Sequence, residues 1–571
     1  MARVALLAAT SLLAASLTRV PLAAGAQRSS AERAARDAQR DFESYRRNRL
    51  PRVAARGGNC DLTIGRFCYW DDNHDRPFPT EAPAIGRERA RLRAALDSLA
   101  AEDSSSDYIA GQRVRYALEA GDTLAATSLL ESCAATPWWC LALRGLAWHH
   151  AGLEPRSVAT FDSMLAAMPD TLRCEWLDVD EWLPSGTHLS EAKHPDCSER
   201  ERLSARVLWL AAPLLTWRRE ATRDELLARR TLLATLYGTR TPHRIAWGSD
   251  LVEVALRFGW PDRWAREEES VNSFAAPEIR VVGHEPTPSF AFVPDRHALE
   301  SPLEASPDDW KLVESRKPSM RYAPGWLTMI DTLPVQVARF RRADGDSMLV
   351  VAAFDAHPTL ADSASPSDPT LRAAALVAVA AESTLALGES RGSSRGAITL
   401  AAASRAVLAA VEIVDSSHAR AARWRGAVQP LDRSALLSDI LVGIAGAAAP
   451  PILLDSAAPH AIAPLRVSAG DTIALYWESY ARPTPDAPAR VALRLVPLSA
   501  GFMTRVARAL GLGRAKPPVS LAWSDPGREA GEVGRSLRVA IPDVPRGRYR
   551  IELVVQAGGK RGRTARVIVV R

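Results

Sequence analysis

Six cysteines are the first residues able to do chemistry, and they fall into sequence-local pairs: Cys60 with Cys68, Cys133 with Cys140, and Cys174 with Cys197. Paired thiols hold zinc, pass electrons or close disulfides. The Cys-x-x-Cys redox spacing is absent. Zinc through Cys60, Cys68 and His74 would need thiols kept reduced, which export to an oxidising space does not do. The expectation is three disulfides, with local pairing one connectivity among the many that six cysteines allow. Each loop would stabilise the fold by about 2.5–3.5 kcal/mol in the chain-entropy picture.

The first pair opens the stretch NCDLTIGRFCYWDDNHDRPFP, from Asn59 to Pro79. Asp71, Asn73 and Asp75 alternate there like the start of a calcium loop. Arg76 stands where an EF-hand turn needs Gly, and Ala82 where it needs a bidentate carboxylate. The stretch therefore reads as a disulfide-pinned loop with a solvated acidic flank.

Other strings point to catalysis less well. Gly388-Glu389-Ser390-Arg391-Gly392 spells the nucleophile elbow, which requires a strand before it and a helix after it. The AITLAAA that follows Gly396 reads as a strand, so a Gly/Ser-rich hairpin loop is expected. His149-His150 ends a helix with no H-E-x-x-H pattern, and reads as surface or last-turn residues. Gly283-His284-Glu285 reads as an ordinary loop. Arg505 to Lys516, RVARALGLGRAK, is basic and helix-prone between strands. It reads as a solvated excursion, with peripheral contact to an anionic envelope surface or a partner as the alternative. No catalytic residue, metal or cofactor is assigned.

The elements that must carry these residues span 571 positions, enough for about three or four domains. Hydrophobic residues make up 47% and charged residues 24%, as in ordinary globular chains. The net charge is +6, but arginine is interspersed with Asp and Glu throughout. That gives a mixed-sign surface rather than a nucleic-acid stripe, and no nucleic-acid partner is expected. Residues 1–26 read as a signal peptide: Met1-Ala2-Arg3, an apolar run from Val4 to Leu17, and Ala24-Gly25-Ala26 before a mature start at Gln27. No later membrane span is expected; Leu436 to Leu454 carries Asp439 and Pro450-Pro451, and reads as a buried strand and a linker. The protein should be exported, to the periplasm or beyond the cell.

Residues 27–83 form a charged segment, a solvated helix or flexible arm, followed by the cysteine loop. Residues 84–197 carry helical spacing. Gly145, Trp148, Phe161 and Pro169 sit at the offsets of a 34-residue helical repeat, and Gly111 lies one period earlier. These residues resemble tetratricopeptide units over about 65 positions. Trp138, Trp139 and Trp148 read as core. Residues 198–330 continue with helices, for which Ser198 and Glu201 suggest a capping box.

Within that region lies AWGSDLVEVALRFGWPDRW, from Ala246 to Trp264. It resembles the signature of the GWxTD family, a Gly-Trp-x-Thr-Asp run leading into a strand and a Gly-x-Pro-Asp turn. Trp247 and Asp250 match, with Ala246 in place of the glycine and Ser249 in place of the threonine. The resemblance implies a strand from Leu251 to Phe258, a turn at Gly259, Pro261 and Asp262, and an exported bacterial protein. It implies no catalytic residue. Read physically, Ser249 or Asp250 accepts local backbone hydrogen bonds, and the tryptophans supply packing area.

Residues 331–446 alternate with period two and read as a β-sandwich unit, with a hairpin turn at Asp344-Gly345. Residues 447–460 read as a linker, and 461–571 as an immunoglobulin-like β-sandwich of about six strands. The whole is a multidomain α+β chain: tetratricopeptide-like helices, a GWxTD-like α+β core and C-terminal antiparallel sandwiches. Such parts mostly present binding surfaces. The expected function is non-catalytic binding or assembly in the bacterial cell envelope through protein–protein contacts. The alternative is an envelope hydrolase whose site no motif reveals.

Overall fold

The structure is a computed structural model that describes residues 28–54, 62–69, 79–183, 196–243, 247–268, 281–284, 290–312, 322, 324–342, 344–360, 371–380, 383–446, 449–481, 487–498, 519–526 and 533–571. It is a multidomain α+β chain, helical in its first half and built of β-sheets in its second.

The chain begins with helix α1 (Ser30–Arg49), in which Ser29 accepts a hydrogen bond from the Glu32 amide. Sequence alone suggested a solvated helix or a flexible arm. It is a helix, but not a fully solvated one: α1 buries Ala31, Ala35, Gln39, Phe42, Glu43 and Arg46, a helical stripe whose charged members find partners inside. Strand β1 (Arg52–Ala54) and the hairpin of β2 (Leu62–Ile64) and β3 (Phe67–Tyr69) follow. The helices α2 (Pro83–Glu102), α3 (Asp107–Glu119) and α4 (Thr123–Ser128) come next. Then α5 (Pro137–His150) and α6 (Glu154–Ala167) form a helical hairpin. Gly145 allows that hairpin to close, because a Cβ there would lie 2.5 Å from the Phe161 ring.

The helical half ends with α7 (Asp170–Leu177), α8 (Cys197–Leu210), α9 (Ala221–Leu236) and α10 (Ser249–Phe258). Asp196, not Ser198, caps α8, and Ser198 lies inside the helix. The segment Leu251 to Phe258 is helix rather than the expected strand. Leu251, Val254, Ala255 and Phe258 repeat at helical spacing and all face the interior. Gly259 ends the helix at φ +84°, a conformation that disfavours any side chain. The chain then enters β4 (Arg263–Glu268), which joins β1 and β5 (Val281–His284) in a three-stranded sheet. His284 therefore sits in a strand, not a loop, and Glu285 lies outside the described residues.

After α11 (Arg296–Glu300) the β half begins with β6 (Met329–Thr332), β7 (Val335–Arg341) and β8 (Ser347–Asp355). β7 and β8 form the expected hairpin, with Gly345 at φ +72°. Then come α12 (His357–Leu360), β9 (Leu371–Ala380), β10 (Ser383–Arg391), β11 (Arg395–Ala403), β12 (Val407–Asp415) and β13 (Arg420–Val428). They make a five-stranded sheet, β10-β9-β12-β13-β6, facing a three-stranded one, β11-β8-β7. β12 is buried at every position. Its odd residues Val407, Ala409, Val411 and Ile413 pack on the facing sheet. Its even residues Leu408 and Ala410 pack on the helical layer beside Val207 and Leu210. Period-two alternation thus makes one strand serve two cores.

The C-terminal unit contains β14 (Leu441–Ile444), α13 (Leu454–Ala457), β15 (Arg466–Val467), β16 (Thr472–Glu478) and β17 (Ala489–Pro497). β18 (Val519–Asp525), β19 (Gly534–Ala540), β20 (Gly547–Ala557) and β21 (Lys560–Val570) complete it. Its sheets are β14-β16-β19 and β15-β21-β20-β17-β18. β14, expected to close the preceding unit, pairs with β16 instead. Residues of the expected linker are also structural: Leu454, Ala457 and Ala458 are buried with Phe340, Leu441 and Tyr476. Apolar side chains spaced through the Ala-Pro-rich segment join it to a core shared with β7, β8, β14 and β16. Among the described residues, no helix is long and apolar enough to cross a membrane.

Candidate functional site

Arg33, Arg36 and Arg40 recur along one face of α1, at the three- and four-residue steps that align side chains on a helix. That face looks across α3 toward the start of α5 and the end of α9. Between them runs a groove of about 1150 Å³, lined by Arg28, Arg36, Tyr108, Trp138, Tyr237 and Arg240 among others. Gln39, Gly111, Gln112 and Thr235 also line it, from α1, α3 and α9.

The groove is electrostatically uneven. Five arginines (28, 33, 36, 40 and 240) line it against three carboxylates, Glu32, Asp103 and Asp107. Each carboxylate is already engaged. Glu32 accepts from Arg36 at 2.8 Å. Asp103 accepts from the Ser29 hydroxyl at 2.6 Å and the Ser105 hydroxyl at 2.9 Å. Those bonds, Ser29's first, stabilise the carboxylate and hold its pKa below the usual carboxylate range. Asp107 accepts from the Thr136 amide at 2.8 Å and hydroxyl at 2.9 Å. Arg33 of α1 and Arg240, whose backbone is hydrogen-bonded to Gln39 of α1, are exposed and form no ion pair among the described residues. The Arg36 guanidinium lies 3.9 Å from the Tyr108 ring centroid. Burial pushes the Tyr108 phenol up to about 12, against the nearby Arg36 charge, so it stays protonated.

A buried ionic cluster beneath the groove fixes α1 in place. Arg46, 1% exposed, reaches Glu119 at 2.9 Å, Glu81 at 3.0 Å and Glu43 at 3.5 Å. It also lies 4.2 Å from the Trp264 ring centroid. Arg115 donates to Glu119 at 2.9 Å and to Glu43 at 3.3 Å, and the Tyr116 hydroxyl donates to Glu43 at 2.7 Å. Burial alone would raise the Glu119 carboxyl, but Arg46 and Arg115 hold it down to about 2. For Glu43 burial wins over both cations, and its carboxyl is pushed up. A charge left unpaired here would be costly, so the cluster is a rigid joint.

The sequence-derived candidates fall elsewhere. Cys133–Cys140 and Cys174–Cys197 pair, with Cα separations of 5.9 and 5.6 Å. Cys60 lies outside the described residues, so its pairing with Cys68 of β3 does as well. Asp71, Asn73, His74 and Asp75 lie outside them too, as does Arg505 to Lys516. Ser390 is in β10 opposite Ala373, and β11 follows in the other sheet. Neither a nucleophile elbow nor a hairpin forms there, because the chain crosses from one sheet to the other. Trp139 is core at 5% exposed, whereas Trp138 is half-buried and lines the groove. Among the described residues, no group of three His, Cys, Asp or Glu side chains is placed to hold a metal ion.

His149 lies in the last turn of α5, one of the two positions expected for it, and is half-buried. Its Nδ1 is 2.7 Å from Asp224 and its Nε2 is 2.9 Å from Glu225, both on α9. Asp224 also holds the Ser157 hydroxyl at 2.5 Å. Serine and histidine touch the same carboxylate but not each other, so no nucleophile is activated.

The residues from Trp247 to Asp262 form a fastening. Asp250 accepts from the Arg66 backbone amide at 3.1 Å, its Nε at 2.6 Å and its Nη2 at 2.6 Å. It also accepts from the Leu251 amide at 2.9 Å, the local role foreseen for it. Ile64 of the hairpin packs on Val254 and Phe258. Gly65 sits at φ +51° with its missing Cβ only 2.6 Å from Asp250. Trp247 and Trp260 are half-buried against the helical core, Ser249 begins α10, Pro261 is buried and Asp262 is exposed. Asp250→Asn should weaken the hairpin's docking by about 1–2 kcal/mol, since a charge-assisted pair becomes a neutral one. Hydrogen exchange of the β2–β3 amides should rise roughly tenfold with little change in global melting. Gly65→Ala should act in the same direction. Unchanged exchange in both variants would show that the pair holds nothing.

No family model matches the chain, and no curated protein matches it. Among solved structures it is similar to a transglutaminase of red sea bream, at 9% identity and a TM-score of 0.13. The similarity covers 42% of this chain and 31% of the transglutaminase, under a third of that protein's length. A likeness of that size carries no argument about fold or activity.

Proposed function

We propose that this chain is an exported binding or assembly protein of the bacterial cell envelope, acting through protein–protein contacts and not by catalysis. The groove between α1, α3, α5 and α9 carries this reading. At about 1150 Å³ it exceeds the range of about 300–1,000 Å³ usual for small-molecule sites. In the same proposal, the hairpins α3–α4 and α5–α6 are tetratricopeptide-like, and the region around Trp247 to Asp262 is GWxTD-like. The C-terminal unit is immunoglobulin-like; the Tyr549 hydroxyl, which donates to the Pro545 carbonyl at 2.7 Å just before and within β20, supports that. The two cysteine pairs support a periplasmic or extracellular home.

A photo-cross-linking amino acid at Trp138 or Tyr237, in the exported protein in living cells, tests the reading. The expected result is one envelope protein cross-linked from both positions and not from exposed Arg405 in the β half. Cross-links only to copies of this chain, or to nothing, would overturn it.

A further inference from the structure

We infer that the groove takes an extended, acidic segment of a partner protein, with Asp or Glu interspersed among apolar residues. This rests on the binding reading above and names its ligand class. The groove's own carboxylates are consumed by Ser29, Ser105, Thr136 and Arg36. Arg33 on α1 and Arg240, whose backbone is hydrogen-bonded to Gln39 of α1, line the groove as exposed cations with no ion pair among the described residues. A ligand meeting both must bring negative charge.

The aromatic residues favour a peptide over an anionic glycan. Sugar rings bind by stacking on open aromatic faces. Here the Tyr108 ring is stacked by Arg36 at 3.9 Å. Trp138 meets Trp139 at 5.7 Å and Trp176 at 5.8 Å, edge to face. Tyr237 meets Trp247 edge-on at 6.4 Å. What these rings leave open suits small apolar side chains rather than flat sugars. The walls are also pre-formed, because the ionic cluster under α1 holds one and helix packing the other, so little ordering accompanies binding.

Binding of the purified full chain to a fluorescein-labelled twelve-residue peptide alternating Glu and Leu, read by fluorescence anisotropy, tests this. Arg33→Glu with Arg240→Glu should weaken binding ~30-fold, and raising salt from ~50 to ~300 mM about tenfold. Trp138→Ala should weaken it several-fold, and Arg405→Glu, a single charge reversal in the β half, should leave it unchanged. Both groove arginines are exposed, so the variants should fold, and an unchanged melting midpoint checks that. Equal binding of a Lys-Leu peptide, indifference to the double reversal, or preference for a labelled sulfated dextran would overturn the inference. A partner cross-linked at Trp138 with no acidic-peptide binding would refute the ligand class and leave the binding reading standing. Loss of both results removes both.

Discussion

Glu412→Gln should destabilise the protein by about 3–5 kcal/mol, the cost of removing one member of a buried charge pair. Glu412 is 1% exposed on β12 and faces the helical layer. It accepts from the Leu215 and Thr216 amides at 2.9 Å each, from the Thr216 hydroxyl at 2.7 Å and from Arg425 at 3.1 Å. Arg425 donates onward to the Leu210 carbonyl at 3.0 Å and the Ala212 carbonyl at 2.8 Å. Arg423 donates to the carbonyls of Ala212 at 2.9 Å and Pro213 at 2.7 Å. The end of α8 has carbonyls with no helical partner, and the sheet supplies guanidiniums to them. Glutamine keeps the shape but leaves two buried cations without their anion. The melting midpoint should fall, and limited proteolysis should cut first between 210 and 221, where the helical layer leaves the sheet. Glu412→Leu combined with Arg425→Met should recover part of the loss, because an apolar pair carries no desolvation cost. If Glu412→Gln melted like the parent, this clamp would not be what joins the two halves.

The second large effect is alkaline. Burial alone would lower the His149 imidazolium, but hydrogen bonds to Asp224 and Glu225 overcome it and raise it from 6.5 to about 10. A raised value in the folded state means the proton binds more tightly there. The stabilisation is complete below pH 6.5 and is lost as pH rises from 6.5 through about 10. Roughly 3 kcal/mol should remain near pH 7.5, taking about 1.4 kcal/mol for each unit still to be crossed. His149→Gln should lower stability by that order at neutral pH and flatten the alkaline limb. Denaturant midpoints from pH 6 to 10 check both. A variant losing stability equally at every pH would show packing loss, not the charged clamp.

Much of this was legible locally. The β7–β8 hairpin follows from Asp344-Gly345, which takes the positive φ that a tight turn needs. The two helical hairpins follow from small and aromatic residues at repeat spacing, with Gly145 under Phe161. The run after Asp250 was misread because Leu251, Val252, Val254, Ala255, Leu256 and Phe258 are dense enough to suit either period. Burial of 251, 254, 255 and 258 settles it as a helix.

The candidate site was not legible. Its tryptophan was visible, but Arg33 looked like one arginine among many in a charged segment. It matters because Gln39 of α1 bonds the Arg240 backbone, so that both arginines line one groove although they are more than 200 positions apart. Arg46 shows the same limit: the segment around it is polar enough to read as solvated, until Glu81 just before α2 and Glu119 of α3 neutralise it in the interior.

By itself the sequence determined the α-then-β order and most strand and helix periods. These depend on residues within a few turns of one another, where sterics and periodicity act directly. Only the tertiary structure decided which charges are buried, which strand serves two cores, and which arginines line a groove with no ion pair among the described residues. Those depend on the partners that distant segments bring, and a charged side chain is stable inside only where folding has placed its counter-charge.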